Sequence, residues 1–129
     1  MANLRMGEEE KMEKLENKRL RVAVVQAAPV IMDREATLAK AIALIEESAK
    51  NGAKLVVFPE AFIPAYPRGL TFGTNVGHRA PKGREDWYRY WENAVTVPGP
   101  TVQALAECAR QNGVYLVMGV IERDEPLHR

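Results

Sequence analysis

The sequence predicts an α/β protein built on about three parallel strands with flanking helices. Three short apolar runs carry that reading: Val22–Val25, Leu55–Phe58 and Val114–Val120. Each has the length of a strand, and its continuous rather than alternating apolar character is that of a strand wanting cover on both faces. Amphipathic segments separate the runs, and strand, helix and strand within about forty residues imply a parallel, right-handed crossover.

The elements follow in order. Residues 1–19 are charged, rich in helix formers and without a regular apolar stripe, so they are expected to form a helical or disordered extension with no chemistry of its own. The core begins at the first apolar run. Asp33 is placed to cap a helix in which Leu38, Ala41, Ile42, Ile45 and Ala49 recur at three- and four-residue spacing, and Gly52 ends it. After the second run, residues 61–83 hold Pro64, Pro67, Pro81 and several glycines without any period, which reads as a long loop. Arg84 to Asn93 can form a short helix carrying Trp87, Tyr88 and Trp91, broken by Val97-Pro98-Gly99-Pro100. A further helix, Thr101 to Gln111, buries Val102, Leu105, Ala106 and Ala109, stops at Asn112-Gly113 and leads into the third run.

Composition narrows the function. A chain of 129 residues, 47% hydrophobic and 27% charged, suits one soluble domain with one core. Eighteen basic against seventeen acidic residues leave a net charge of +1, too little to favour nucleic acid. No apolar stretch approaches the roughly 20 residues that span a bilayer, and the acidic first twenty residues do not resemble a leader, so a cytoplasmic protein is expected. The single cysteine, Cys108, allows no internal disulfide and no zinc cluster. Gln26-Ala27-Ala28-Pro29 stands where a dinucleotide fold needs glycines, so neither a nucleotide cofactor nor a metal is expected.

Chemistry points to Phe58-Pro59-Glu60-Ala61-Phe62. It sets a carboxylate at the C-terminal end of a buried parallel strand, where ligands bind in open α/β sheets. Desolvation by Phe58, Phe62 and the sheet edge would make Glu60 a readier proton acceptor. The same position also suits a glutamate that caps a turn or pairs with Arg68, and position alone leaves both readings open.

The run Gly52-Ala53-Lys54-Leu55-Val56-Val57-Phe58-Pro59-Glu60-Ala61-Phe62-Ile63-Pro64-Ala65-Tyr66-Pro67 is similar to the nitrilase-family signature around its glutamate. Arg21 to Ala27 resembles that family's opening strand, and Pro98-Gly99-Pro100 and Gly119-Val120-Ile121-Glu122-Arg123 resemble later segments. Tyr66-Pro67-Arg68-Gly69 and the Trp91 region look closer to nitrilases than to amidases. Ala65 departs from the signature, which usually has glycine there.

The resemblance implies a nitrilase-type α-β-β-α sandwich, with helices outside two stacked sheets, and a Glu-Lys-Cys triad that hydrolyses a nitrile to a carboxylic acid and ammonia without a cofactor. Glu60 maps onto the glutamate and Tyr66 onto a residue lining the pocket. The lysine and cysteine map onto nothing here. Cys108 lies inside a helix beside Glu107 and reads as a packing residue. Tyr90-Trp91-Glu92-Asn93 is similar to the Cys-Trp-Glu sequence around the family nucleophile, but in a different setting. Lys54 begins the strand that Glu60 follows, so it lies at the opposite end of the sheet. His78, in the long loop, reads as solvated, and His128 has no context.

The expected organisation is therefore an extension over 1–19, the N-terminal part of a carbon-nitrogen hydrolase domain over 20–124 and a tail unrelated to the family over 125–129, inactive alone. With helices enough for one face only, the sheet is expected to leave its other face bare. That implies a homo-oligomer or association with a full-length nitrilase; a truncated product without function is the plainer alternative. Tyr66 and Phe72 hint at an apolar nitrile substrate.

Overall fold

The computed structural model describes residues 19–74 and 80–124. Nearly all of the expected extension, the expected tail, His78 and His128 lie outside the described residues.

The order of elements is β1 (Val22–Val24), α1 (Arg34–Lys50), β2 (Leu55–Val57), α2 (Pro81–Glu92), α3 (Pro100–Asn112) and β3 (Tyr115–Val117). The strands form one sheet in the order β1-β2-β3, parallel throughout, with Val22 beside Leu55 beside Tyr115 and Val24 beside Val57 beside Val117. This is the α/β architecture that the apolar runs predict.

Local chemistry sets the helix ends. The Asp33 carboxylate accepts from the Ala36 amide at 2.9 Å, satisfying one of the donors that a helix start leaves free. At the other end Gly52 takes φ 86, a left-handed conformation that glycine adopts without penalty. Gly113 closes α3 the same way at φ 61, its amide reaching back to the last turn. Thr37, fully buried, holds the segment between β1 and α1: its hydroxyl accepts from the Val30 amide at 3.0 Å and donates to the Val30 carbonyl at 2.9 Å.

Side chains alternate along a strand, so each strand presents two sets. One set, with Ala23, Val25, Val56, Phe58, Leu116 and Met118, joins the core made by Ala41 and Ile45 of α1 and Leu105 and Cys108 of α3. The other contains Val22, Val24, Tyr115 and Val117, at 44%, 73%, 80% and 53% exposure, with Leu55 and Val57 half-buried between them. Helices α1 and α3 pack on each other and cover one face only, as expected; the described residues leave the second face open.

Helix α2 differs from its predicted extent. It begins at Pro81, not Arg84, because proline suits the first helical position, where its missing amide costs nothing and its fixed φ is already helical. None of its residues is buried. It lies beyond the sheet, tied through Asn93, whose Oδ1 accepts from the Arg34 amide at 3.1 Å, while the Arg34 guanidinium donates to the carbonyls of Glu92 and Ala94.

Candidate active site

The sheet is interrupted where the sequence places its candidate base. The Phe58 amide donates to the Val117 carbonyl at 2.9 Å, and the next bond between these chains is from the Ile63 amide to the Gly119 carbonyl at 3.3 Å. Five steps along one chain thus match two along the other. Residues 59–62 are thrown outward as an arch with Glu60 on it. Phe58 and Phe62 close its base, ring edge to ring face, with centroids 5.0 Å apart and both side chains buried. Pairing then resumes as isolated parallel bridges, Ile63 with Val120 and Val95 with Glu122.

What lets the arch sit so close to the neighbouring chain is Gly119. A Cβ there would lie 2.7 Å from the Ala61 nitrogen and 2.8 Å from the Glu60 Cα, and would also strike the Pro59 carbonyl oxygen. These are backbone atoms, which no rotamer change can move aside. Gly119 therefore sets the height of Glu60 above the sheet. Nothing in the sequence marks Gly119 for this role, because a close backbone approach leaves no sign in composition or periodicity.

The arch is conformationally demanding elsewhere too. Ala61 takes φ 49, and Ala65 takes φ 142, where a side chain is rarely found. Both are buried. The departure noted at Ala65 thus falls on a residue whose backbone favours glycine. The Pro64 carbonyl accepts from the Met32 amide at 3.1 Å and ties this loop to the one after β1.

Glu60 itself is exposed. Among the described residues its carboxylate makes no hydrogen bond or ion pair, so it neither caps a turn nor pairs with Arg68. The partial desolvation expected from Phe58 and Phe62 is not found, because both rings turn into the core beneath the arch rather than over the carboxylate. Tyr66 is 64% exposed.

Behind this loop stands Tyr90, from the last turn of α2. Its ring lies 5.4 Å from that of Phe72, and its hydroxyl is buried with no hydrogen-bond partner among the described residues. Burial first, and the nearby Tyr66 phenol second, push its ionisation above the ordinary tyrosine range. On the same helix Trp91 stacks with Trp87 and Tyr88, and the Arg123 guanidinium sits 4.6 Å from the Trp91 ring centre. The helical spacing of these aromatics was the available signal for the cluster; its meeting with Phe72 and Tyr66 was not.

The remaining candidates separate from the arch. Lys54 and Glu60 flank β2 at its opposite ends. Cys108 is buried at 6% exposure in α3, where burial first and the Glu46 carboxylate second raise its pKa, opposed by a contact from the Asn112 amide at 3.6 Å. A thiol so held resists forming the thiolate that a nucleophile requires. No group of three His, Cys, Asp or Glu side chains suited to a metal ion occurs among the described residues, and none of their helices is long and apolar enough to cross a membrane.

A parallel sheet with helices on one face and an unpaired carboxylate on an arch at the carboxyl end of its central strand defines an α/β protein with a candidate catalytic edge. Residues 21–128 match the model of the carbon-nitrogen hydrolase family, and the chain belongs to that family. A bifunctional nitrilase/nitrile hydratase of Nicotiana tabacum is 55% identical over 105 residues, covering 81% of this chain and 30% of that protein. Nitrilase 2 of Arabidopsis thaliana is 52% identical over 105 residues, 81% of this chain and 31% of its own length. An aliphatic nitrilase of Sinorhizobium fredii is 51% identical over 106 residues, 82% and 34%. The chain thus spans about a third of the length of these relatives.

Proposed function

We propose that this chain supplies the general base of a nitrile-hydrolysing site. Glu60 is that base, and Tyr66 lines the pocket for a small-molecule nitrile. The observation that carries the reading is the arch: a carboxylate lifted clear of the sheet, without a competing partner among the described residues and held at its height by Gly119. Resemblance to the nitrilase signature and the names of the relatives give the reaction class.

In that reaction a cysteine thiolate attacks the nitrile carbon and forms a thioimidate. Glu60 takes the thiol proton and returns it to the nitrogen, and a lysine stabilises the charge that develops there. Water then adds, ammonia leaves, and a second water releases the acid. Neither the lysine nor the cysteine is among the residues here that suit those roles. Glu60 also stands open to water, so the desolvation a base needs has to come from outside the described residues. Accordingly the 129 residues alone turn over no nitrile, and a cytoplasmic setting fits the one buried thiol.

The test is release of ammonia and of amide from aliphatic and aromatic nitriles by the purified chain, beside Glu60→Gln. Amide is included because relatives are named nitrilase/nitrile hydratase. No product from either supports the reading. Product abolished by Glu60→Gln would mean that another group of this chain, Cys108 foremost, serves as nucleophile, and the account of the missing residues would fail.

A further inference from the structure

Helix α2 adds no residue to the core, yet it is fastened at both ends. Just past its last turn, Asn93 and Arg34 tie it to α1. Its first turn meets the loop that leaves the arch. A Cβ on Gly83 would lie 2.6 Å from the Gly73 Cα and 2.9 Å from the Phe72 carbonyl carbon, and would strike the Gly73 nitrogen. Two helical turns beyond Gly83, and so on the same face, the Tyr90 ring packs 5.4 Å from that of Phe72. The loop itself is a run of turns. The Arg68 amide donates to the Tyr66 carbonyl at 2.8 Å, the Leu70 amide to the Pro67 carbonyl at 3.1 Å and the Thr74 amide to the Thr71 carbonyl at 2.9 Å. Little slack therefore separates Tyr66 from the crossing with α2.

Among the described residues neither the exposed Tyr66 hydroxyl nor the buried Tyr90 hydroxyl makes a hydrogen bond. Water satisfies the first, whereas a buried hydroxyl without a partner is destabilising and calls for one. The two phenols are close enough to act on each other, since burial first and Tyr66 second raise the ionisation of Tyr90. We propose that Tyr90 is a positioning residue for Tyr66: α2 is a strut that holds the pocket loop through Gly83 and Phe72, and the Tyr90 hydroxyl is the seat to which the Tyr66 side chain turns and hydrogen-bonds. This role rests on Tyr66 lining the nitrile pocket, as proposed above. It gives a helix outside the core a task, that of fixing one wall of the pocket, so the side chain at position 90 sets the room left for substrate.

Nuclear magnetic resonance of isotope-labelled tyrosine rings in the purified chain tests it. No nitrile and no turnover are involved, so failure here leaves the role of Glu60 to the ammonia assay. Tyr90→Phe keeps a ring against Phe72 and removes only the hydroxyl. It should shift the Tyr66 ring signals towards those of a freely rotating side chain and leave those of Tyr115, on the sheet, in place. Gly83→Ala, which forces the loop away from the helix, should do the same to Tyr66 and release the Phe72 ring as well. Lys82→Ala, in the same turn but exposed, should do neither. Followed against pH, Tyr90 should ionise above the ordinary tyrosine range, and Tyr66→Phe should bring it part of the way down while burial keeps the remainder. A purely structural Tyr90 would not respond to the loss of one exposed hydroxyl. Tyr66 signals indifferent to Tyr90→Phe overturn the proposal. So does a Tyr90 ionisation indifferent to Tyr66→Phe, which would assign the buried hydroxyl to another partner. A native chain in which the Tyr66 ring already rotates freely overturns it too, since no strut then holds the loop.

Discussion

Replacing Gly119 by alanine should unfold this chain more readily than its small size change implies. The added methyl group would meet the Ala61 nitrogen at 2.7 Å and the Glu60 Cα at 2.8 Å, against an ordinary carbon contact of about 3.5–4.0 Å. The chains must therefore separate by about 1 Å, and overpacking of this kind costs ~1–3 kcal/mol. The bond from the Ile63 amide to the Gly119 carbonyl, already 3.3 Å, lies at the point of separation, and losing it adds ~1 kcal/mol. With about 4–8 °C lost per kcal/mol in a domain of this size, Tm should fall by roughly 10–25 °C. Gly113→Ala is the matched control. Nothing lies within 4 Å of a Cβ there, but φ is 61, so its cost of ~1 kcal/mol is conformational only. Asparagine, which tolerates the left-handed region, should recover part of that loss at 113 and make matters worse at 119. Thermal unfolding by circular dichroism reads both series, and the amide resonances of Glu60 and Ala61 should move only in the 119 variants. A Gly119→Ala chain as stable as Gly113→Ala would refute the close approach.

Thr37→Val should cost ~1–2 kcal/mol in urea unfolding, because it leaves the Val30 amide without its acceptor and the Val30 carbonyl with the Asp33 amide alone; a loss under a quarter of that would mean water replaces the hydroxyl freely. Asp33→Ala removes the cap on α1 and should cost ~1 kcal/mol, with Asp33→Ser recovering most of it in the same assay. The raised pKa of Cys108 gives a signed pH prediction: its contribution is fully present below the ordinary thiol range of about 8.5 and is lost as pH rises through the folded value, since the unfolded chain ionises first. Urea midpoints between pH 7 and 9.5 should thus fall in the native chain and stay flatter in Cys108→Ala; parallel profiles would contradict the burial argument.

Much of the fold can be read without coordinates because its signals are local. Asp33 caps α1 and Gly52 and Gly113 end helices through hydrogen bonds and dihedral angles that need only a few neighbours. The three apolar runs become the three strands because a chain with 27% charged residues has few other uninterrupted apolar segments able to line a core. Helix α2 shows the limit. Pro81 reads equally as a loop residue or as a helix start, and the choice went to the start.

The sequence by itself determined the family, the order of elements, and the position of Glu60 at the end of a buried parallel strand; that this strand is the central one came from the sheet order. Apolar pattern, turn residues and a sixteen-residue signature carry that information along the chain. Tertiary structure decided the rest. It set Glu60 on an arch open to water rather than beside apolar cover, because desolvation depends on what lies over a group and not on its neighbours in sequence. It gave Gly119 its purpose, since two backbones meeting across a sheet are far apart along the chain. It also located the bare face from Val22 to Val117, since apolar residues record a demand for cover and only packing shows which face receives it.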